Sequence, residues 1–422
     1  MDTTHIGTNW SGNYAYRAGT LHRPQALEEL QALVARGRPL RALGSRHSFT
    51  DIADSHDLVA LDALPGAIEL DAAAGTVTVP GHTTYAELAA ELNRSGRALH
   101  NMASLPHISV AGAIATATHG SGDVNGNLAT AVRAVEMVGA NGELATVTQR
   151  DHEFEGVVVG LGALGIVTRV TLEVQPFFAV RQRVFEGVGW DTLFERLHAI
   201  FGAGESVSVF HLCGPATEQV WVKRRSDGAS DHDRDLDELL GVPAASATLH
   251  PVLGGDPVNC TEQLGVAGAW SERLPHFRSG YTPSSGEELQ SEFFVARGNA
   301  VAAIEAVRGL ADAIVPHLLI SELRTIAADT LWLSPDEGRD TFALHFTWRR
   351  RPAEVQAVVA EIETALAPLG ARPHWGKVFT AEAAAIAPLY PRMADFRALR
   401  DRRDPERLFV NDWLRRRVLD VA

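Results

Sequence analysis

The chain has 422 residues, 38 Lys+Arg against 52 Asp+Glu, a formal net charge of −14, and 45 % hydrophobic and 21 % charged residues. These proportions are globular and exclude a disordered or fibrous chain, and the length suits two or three domains of about 150 residues, each with a core. The acidic excess argues against a surface that tracks phosphates, so no nucleic-acid partner is expected.

In chain order, Leu27, Leu30 and Leu33 within residues 24–36 are spaced for a helix. Residues 39–43, 57–61 and 76–79 read as strands, the first running into a glycine turn. Residues 85–92 read as a helix capped by Thr83 or Thr84. Residues 104–122 are rich in Gly, Ala, Ser and Thr, which let main chain approach a ligand closely. Residues 131–139 and 144–147 flank Asn141-Gly142, a hairpin signal. Residues 166–174 alternate at period two, Pro176 follows, and a domain boundary is placed there. Beyond it, strands are expected at 207–212, 220–224, 292–295, 318–325 and 341–348, with helices at 300–313 and 353–366. Residues 226–237 read as a solvated acidic loop, 250–277 give few periodic cues, and 374–413 close the chain before the basic run 415–417.

No run of 18 apolar residues is free of polar interruption, so no spanning helix and no membrane partner is expected. Residues 1–13 lack the basic and apolar stretches of a secretory leader. Cys213 and Cys260 are the only cysteines and form no CxxC pair. A cytoplasmic protein without a metal is the expectation. Lys223 and Lys377 are the only lysines among the 38 basic residues, leaving 36 arginines. A lysine retained against that bias hints at a need for a compact ammonium, or at chance.

No GxGxxG follows a strand, and neither GxxxxGK[ST], GxSxG nor HExxH occurs. What remains is the turn Gly44-Ser45-Arg46-His47-Ser48 after a strand. Its backbone N–H groups suit a pyrophosphate, with His47 beside the ligand; taken alone, a loop His is more often a surface or hydrogen-bonded residue. A second pattern lies in two later strands. Glu322 and Arg324, two apart, share one face, as do His345 and Thr347, with Phe342, Leu344 and Phe346 opposite. If these strands are neighbours they present carboxylate, guanidinium, imidazole and hydroxyl to one cavity; a solvent-facing ion pair fits the spacing as well.

Jointly with Asn101-Met102-Ala103-Ser104-Leu105-Pro106-His107, Thr118-His119-Gly120, Gly162-Ala163-Leu164-Gly165, Pro373-His374-Trp375-Gly376-Lys377 and Asn411, these pieces resemble the vanillyl-alcohol-oxidase-type flavoproteins. Within that family the bacterial alditol (xylitol) oxidases are most similar. The resemblance implies an α+β fold: a two-part, PCMH-type FAD-binding domain, residues 1–178 with 374–422 returning to it, and a substrate domain, 179–373, with a large antiparallel sheet flanked by helices. It implies FAD bonded to His47 through the 8α-methyl group. FAD contacts fall, by the same resemblance, on Gly44, Ser45, Arg46, Ser48, Ser104, Ser109, Gly112, Ala115, Thr116, Ala117, Thr118, Val167, His374 and Lys377. Arg46 departs from the Gly found there in alditol oxidases.

The resemblance further places Ser104, Glu322, Arg324 and Thr347 on a polyol, with Glu322, Arg324, His345 and Lys377 catalytic. The implied reaction moves hydride from C1 of xylitol or sorbitol to the flavin, yields an aldose, and reduces O2 to hydrogen peroxide. Lys377 is implied to face the flavin pyrimidine edge. An aldonolactone oxidase or dehydrogenase of the same superfamily is the alternative, and Ala103 alone does not decide between O2 and another acceptor. A non-catalytic flavin- or sugar-binding protein would have no need of Glu322, Arg324 and Lys377 together. The polyol and O2 are the expected partners of a monomer.

Overall fold

The computed structural model describes residues 6–226, 234–280 and 287–420. Near its start, β1 (Thr20–His22), β2 (Leu40–Ala42) and β3 (Asp57–Val59) form a parallel sheet in the order β1-β3-β2. Helix α1 (Leu27–Val34) buries Leu30 and Val34 on it with Leu40, Val59 and Phe409. Antiparallel β4 (Glu69–Asp71) and β5 (Thr76–Pro80) lead to α2 (Tyr85–Arg94). Of the two candidate caps, Thr84 is the one used: its hydroxyl accepts from Glu87 N–H at 3.2 Å, and the Glu87 carboxylate accepts from Thr84 N–H at 2.8 Å.

After β6 (Arg97–Ala98), the small-residue stretch forms a short helix, α3 (Val110–Ala115). The Asn141-Gly142 hairpin joins β7 (Val132–Val138) to β8 (Leu144–Thr148), with Gly142 at φ +79. The alternating β9 (Ile166–Glu173) buries Ile166, Thr168, Val170 and Leu172 and completes a sheet ordered β4-β5-β9-β7-β8. Gly160 to Gly165 has GxGxxG spacing, but it follows the helix Phe154–Val158 and leads into β9, the reverse of a dinucleotide-binding turn.

The first sheet set closes where β10 (Gln175–Pro176) pairs β6, and a second sheet opens with β11 (Ala179–Glu186). With β12 (Ser206–His211), β13 (Gln219–Ser226), β14 (Gly268–Ala269), β15 (Glu288–Ala296), β16 (Leu318–Ile326), β17 (Thr341–Arg349) and β18 (Arg372–Pro373) it is antiparallel, ordered β14-β11-β13-β12-β16-β17-β15-β18.

Three element expectations change. Of the acidic loop expected at 226–237, residues 227–233 lie outside the described residues, and its end is the helix Arg234–Leu240. Leu236 and Leu240, four apart, are buried and hold that helix down despite its acidic sequence. The helix expected over 300–313 is two, Ala300–Arg308 and Ala311–Ile314, separated at Gly309-Leu310. The strand expected at 292–295 begins at Glu288.

The closing segment packs on the first sheet. Leu40 N–H donates to Leu408 O at 3.0 Å, Arg41 donates to Phe409 O at 2.6 Å, and Phe49 N–H donates to Gly376 O at 2.8 Å. The Asp404 carboxylate accepts from Leu408 and Phe409 N–H, and the Asn411 amide donates to the carbonyls of Asp51, Ile52 and Asp54. No helix among the described residues is long and apolar enough to cross a membrane.

Candidate active site

A cavity of about 610 Å³ runs between the glycine turn and the polar face of the large sheet. Gly44, Ser45, Arg46, His47, Ser48, Ser104, Ser109, Gly112, Ala115, Thr116, Thr118 and Val167 line one side. Glu322, Arg324, His345 and Thr347 line the other, with His374 and Lys377 from the closing segment. Ala117 is buried behind the wall in the left-handed region, at φ +54.

The turn is held from the N-terminal segment. Asn9 and Asn13 donate to Ser48 O and Phe49 O, and Trp10 N–H donates to Arg46 O at 2.8 Å. Arg46 has φ +62, a conformation that explains why glycine suits this position. Its guanidinium donates to Ile6 O at 2.6 Å and lies over the Tyr16 ring, so its charge is tied to the N-terminal segment.

His47 stacks on Trp10 at 5.3 Å and tilts against His107 at 4.9 Å. Neither of its ring nitrogens meets a partner in hydrogen-bond geometry. Burial, helped by His107, pulls its pKa down to about 4, so it is a neutral imidazole with a lone pair to offer. The cradle beside it is kept open by absent side chains. A Cβ on Gly81 would sit 2.8 Å from Val167 O, and Cβ atoms on Gly44 and Gly112 would sit 2.7 and 2.8 Å from Ser109 Oγ. An imidazole whose two buried nitrogens meet no partner in hydrogen-bond geometry, beside a glycine-lined wall, fits a flavin nucleotide.

On the opposite wall, pairing register brings Glu322, His345 and Glu292 side by side on β16, β17 and β15, and Ile320, Thr347 and Gln290 in the next row. The polar groups form one network. Arg324 Nη2 lies 3.2 Å from Glu322 and 3.5 Å from Glu292. Lys377 Nζ donates to Glu292 Oε2 at 2.6 Å and to His345 Nδ1 at 2.7 Å. His345 must then carry its proton on Nε2, which donates to Thr347 Oγ1 at 3.1 Å. His276 Nε2 meets Glu322 Oε1 at 2.8 Å. Phe342, Leu344 and Phe346 are fully buried behind this face.

Burial works against ionising Glu322, but Arg324 and His276 outweigh it and hold the carboxyl well below the usual range. Burial is likewise overcome at Glu292 by Lys377, His119, Arg324 and His345. Burial, then Lys377, draws His345 down to about 4, and burial draws His276 to about 4. Glu322 and Glu292 therefore face two cations, Arg324 and Lys377, among neutral imidazoles, so the charges paired at this part of the wall offset one another.

Glu292, Gln290 and His276 were not singled out in the sequence. Glu288, Gln290 and Glu292 alternate in front of apolar Leu289 and Phe293, a signal hidden by starting the strand at 292. His276 lies in the stretch without periodic cues and carried no signal. His119, Glu292 and His374 place donor atoms within 4.8 Å of one another, but Glu292 is already compensated by Lys377 and Arg324, which oppose a further cation.

Residues 21–148 match the FAD binding domain family, and residues 288–417 match the D-arabinono-1,4-lactone oxidase family. The fold is shared with the crystal structure of cholesterol oxidase from B. sterolicum, at a TM-score of 0.77 and 14 % identity over 97 % of this chain and 96 % of that one. Fold, cradle and domain match define an FAD-dependent oxidoreductase. In sequence the chain is 48 % identical to the alditol oxidase of Streptomyces sp. over 97 % of its own length and 98 % of the relative. L-gulono-1,4-lactone dehydrogenase of Mycobacterium tuberculosis is 28 % identical over 97 % and 98 %. The chain belongs to the flavoprotein family of that alditol oxidase.

Proposed function

We propose that the protein oxidises the terminal CH2OH of acyclic alditols such as xylitol and sorbitol to the aldehyde of an aldose, with O2 reduced to H2O2 and FAD bonded to His47 through its 8α-methyl group. The observation that carries the reading is the wall of paired donors and acceptors around Glu322. A polyol has no charge and no carbonyl, only a row of hydroxyls. A wall that pairs each hydroxyl rejects an analogue lacking one, because a buried polar group is then left unmet.

When bound, FAD supplies the hydride acceptor and the route to O2. The chain's part is to place and polarise the alcohol. Glu322, ionised and fixed from both sides, accepts the hydrogen bond of the substrate O1–H and so orients the alcohol. Thr347 accepts from His345, which leaves its own O–H to donate to a substrate oxygen. Lys377 fixes the His345 tautomer and keeps one N–H for a ligand. Ser104 lies on the facing wall. The neutral His47, whose ring nitrogens meet no partner in hydrogen-bond geometry, supports the covalent link.

We also read the chain as two units, 1–178 with 374–422 and 179–373, supported by the sheet change after Pro176 and the closing segment's bonds to the first sheet. It acts as a cytoplasmic monomer; two free thiols suit a reducing compartment. The match of residues 288–417 to the lactone oxidase family favours a cyclic lactone as the second reading. A peroxide screen of the holoenzyme separates them. Xylitol and sorbitol should give H2O2 at rates well above L-gulono-1,4-lactone, and peroxide from the lactone alone would move the protein to the second reading. Acid-precipitated protein should be yellow, and His47→Ala should release its flavin; a colourless pellet from flavin-loaded wild type would exclude the covalent bond.

A further inference from the structure

Both lysines of the chain end on the Nδ1 atom of a buried histidine whose Nε2 faces a residue of the polar wall. Lys377 holds His345, which leads to Thr347. On β13, Lys223 Nζ lies 2.6 Å from Leu274 O, 3.0 Å from Pro275 O and 3.3 Å from His276 Nδ1. His276 Nε2 then lies 2.8 Å from Glu322 Oε1.

We propose that Lys223 and His276 are positioning residues for Glu322: the buried ammonium fixes the histidine tautomer whose Nε2–H orients the carboxylate toward the substrate alcohol. This rests on the role given to Glu322 above.

The donor count supports it. An ammonium has three N–H donors, and Lys223 meets three acceptors, two carbonyls and an imidazole nitrogen. His276 Nδ1 must then be a lone pair, so the proton sits on Nε2 and is donated to Glu322. The ring itself is held edge-on by Phe210 at 5.5 Å and Trp221 at 5.3 Å. Lys223 is 1 % exposed, so water does not substitute for any of its partners.

Loss of the Lys223 proton breaks this arrangement. A neutral amine has two donors for three acceptors. With both remaining N–H groups on the two carbonyls, the amine turns its own lone pair toward Nδ1, and the imidazole is no longer held in the tautomer that donates to the carboxylate. Burial draws Lys223 down to about 7, with Glu322 resisting and Arg324 assisting. Cys260, the other titratable neighbour, is pushed up to about 11 and stays a neutral thiol at neutral pH, and His276 is neutral there as well. Lys377 is also drawn down by burial but touches Glu292 and His345, not His276. The arrangement gives kcat/KM a limb that falls as pH rises through the Lys223 pKa.

The test uses flavin-loaded holoenzyme and xylitol. Lys223→Met and His276→Leu should each lower kcat/KM about tenfold to hundredfold, the usual effect of misplacing a catalytic group, with flavin content unchanged. His276→Gln keeps an N–H for Glu322 without needing Lys223. It should recover most of the activity lost in His276→Leu and abolish the falling limb. Should Lys223→Met fail to fold, the two His276 variants, in which Lys223 stays in place, carry the test. In a Glu322→Gln background, His276→Leu should cost no more than about twofold, because independent sites add and these two act through one group. Full additivity with Glu322→Gln, or His276→Gln behaving as His276→Leu, would overturn the proposal. An unimpaired Glu322→Gln single variant would instead overturn the role of Glu322 itself.

Discussion

Arg46 is a side chain in a backbone conformation that favours glycine, at a cost of about 1–2 kcal/mol. Its bond to Ile6 O returns about 1 kcal/mol. Arg46→Gly should therefore leave the flavin in place and shift unfolding free energy by no more than about 1 kcal/mol, measured by denaturant titration; loss of flavin would show that the guanidinium serves the cofactor. Lys377 is different, since two of its bonds order the polar wall. Lys377→Met should slow anaerobic flavin reduction by xylitol about 100-fold, as removal of a preorganised donor does. An unchanged rate in stopped flow would shift that role to Arg324. Glu322, Arg324, His345 and Thr347 were legible because period two puts them on one face. The lysines stood out by rarity. Glu292 was obscured by a strand drawn four residues short, and the partners of Lys223 lie far away in sequence, where no local pattern reaches.

At the scale of elements, the cradle depends on how closely β5, α3 and β9 approach. Gly81 follows β5, and a Cβ there would meet the backbone carbonyl of Val167 at 2.8 Å and Ala111 Cβ at 3.2 Å. Backbone cannot swing aside as a side chain does. Gly81→Ala should thus lower the flavin-to-protein absorbance ratio of purified enzyme, and a full complement of flavin would show that the strands absorb the methyl group. Strands β7, β8, β9, β16 and β17 were readable from alternation and the Asn141-Gly142 turn. The helix Arg234–Leu240 was not, because charge masked its two buried leucines. The break at Gly309 was not, because alanines continue the helical pattern on both sides.

Across the whole molecule, the site exists because distant parts of the chain meet: Phe49 bonds Gly376, and Arg41 bonds Phe409. Periodicity carries no trace of such contacts; the resemblance supplied them. Burial also leaves an imprint on acid stability. His211, His276 and His345 are drawn by burial to about 3, 4 and 4, and His374 well below its usual value. Unfolded histidines bind protons near pH 6.5, so unfolding takes up protons between about pH 6.5 and 4, and stability falls as pH falls through that window. Asp329, raised to about 7 by burial and Asp336, opposes this, and Asp336 is raised with it. Burial raises Glu218 and Asp404 as well, but it also lowers His100, His107 and His250, so lowered histidines outnumber raised carboxyls, and the melting temperature should drop steadily from about pH 6.5 to 4.5; a flat or rising profile would mean these imidazoles are not buried neutral. The central claim is that a terminal carbinol carbon delivers its hydride in this cavity. Anaerobic single-turnover reduction, with xylitol and with xylitol deuterated at its terminal carbons, tests it most directly. The flavin should bleach completely, and clearly more slowly with the deuterated sugar alcohol; no bleaching, or equal rates for the two in a step limited by chemistry, would show that hydride does not leave the terminal carbon here.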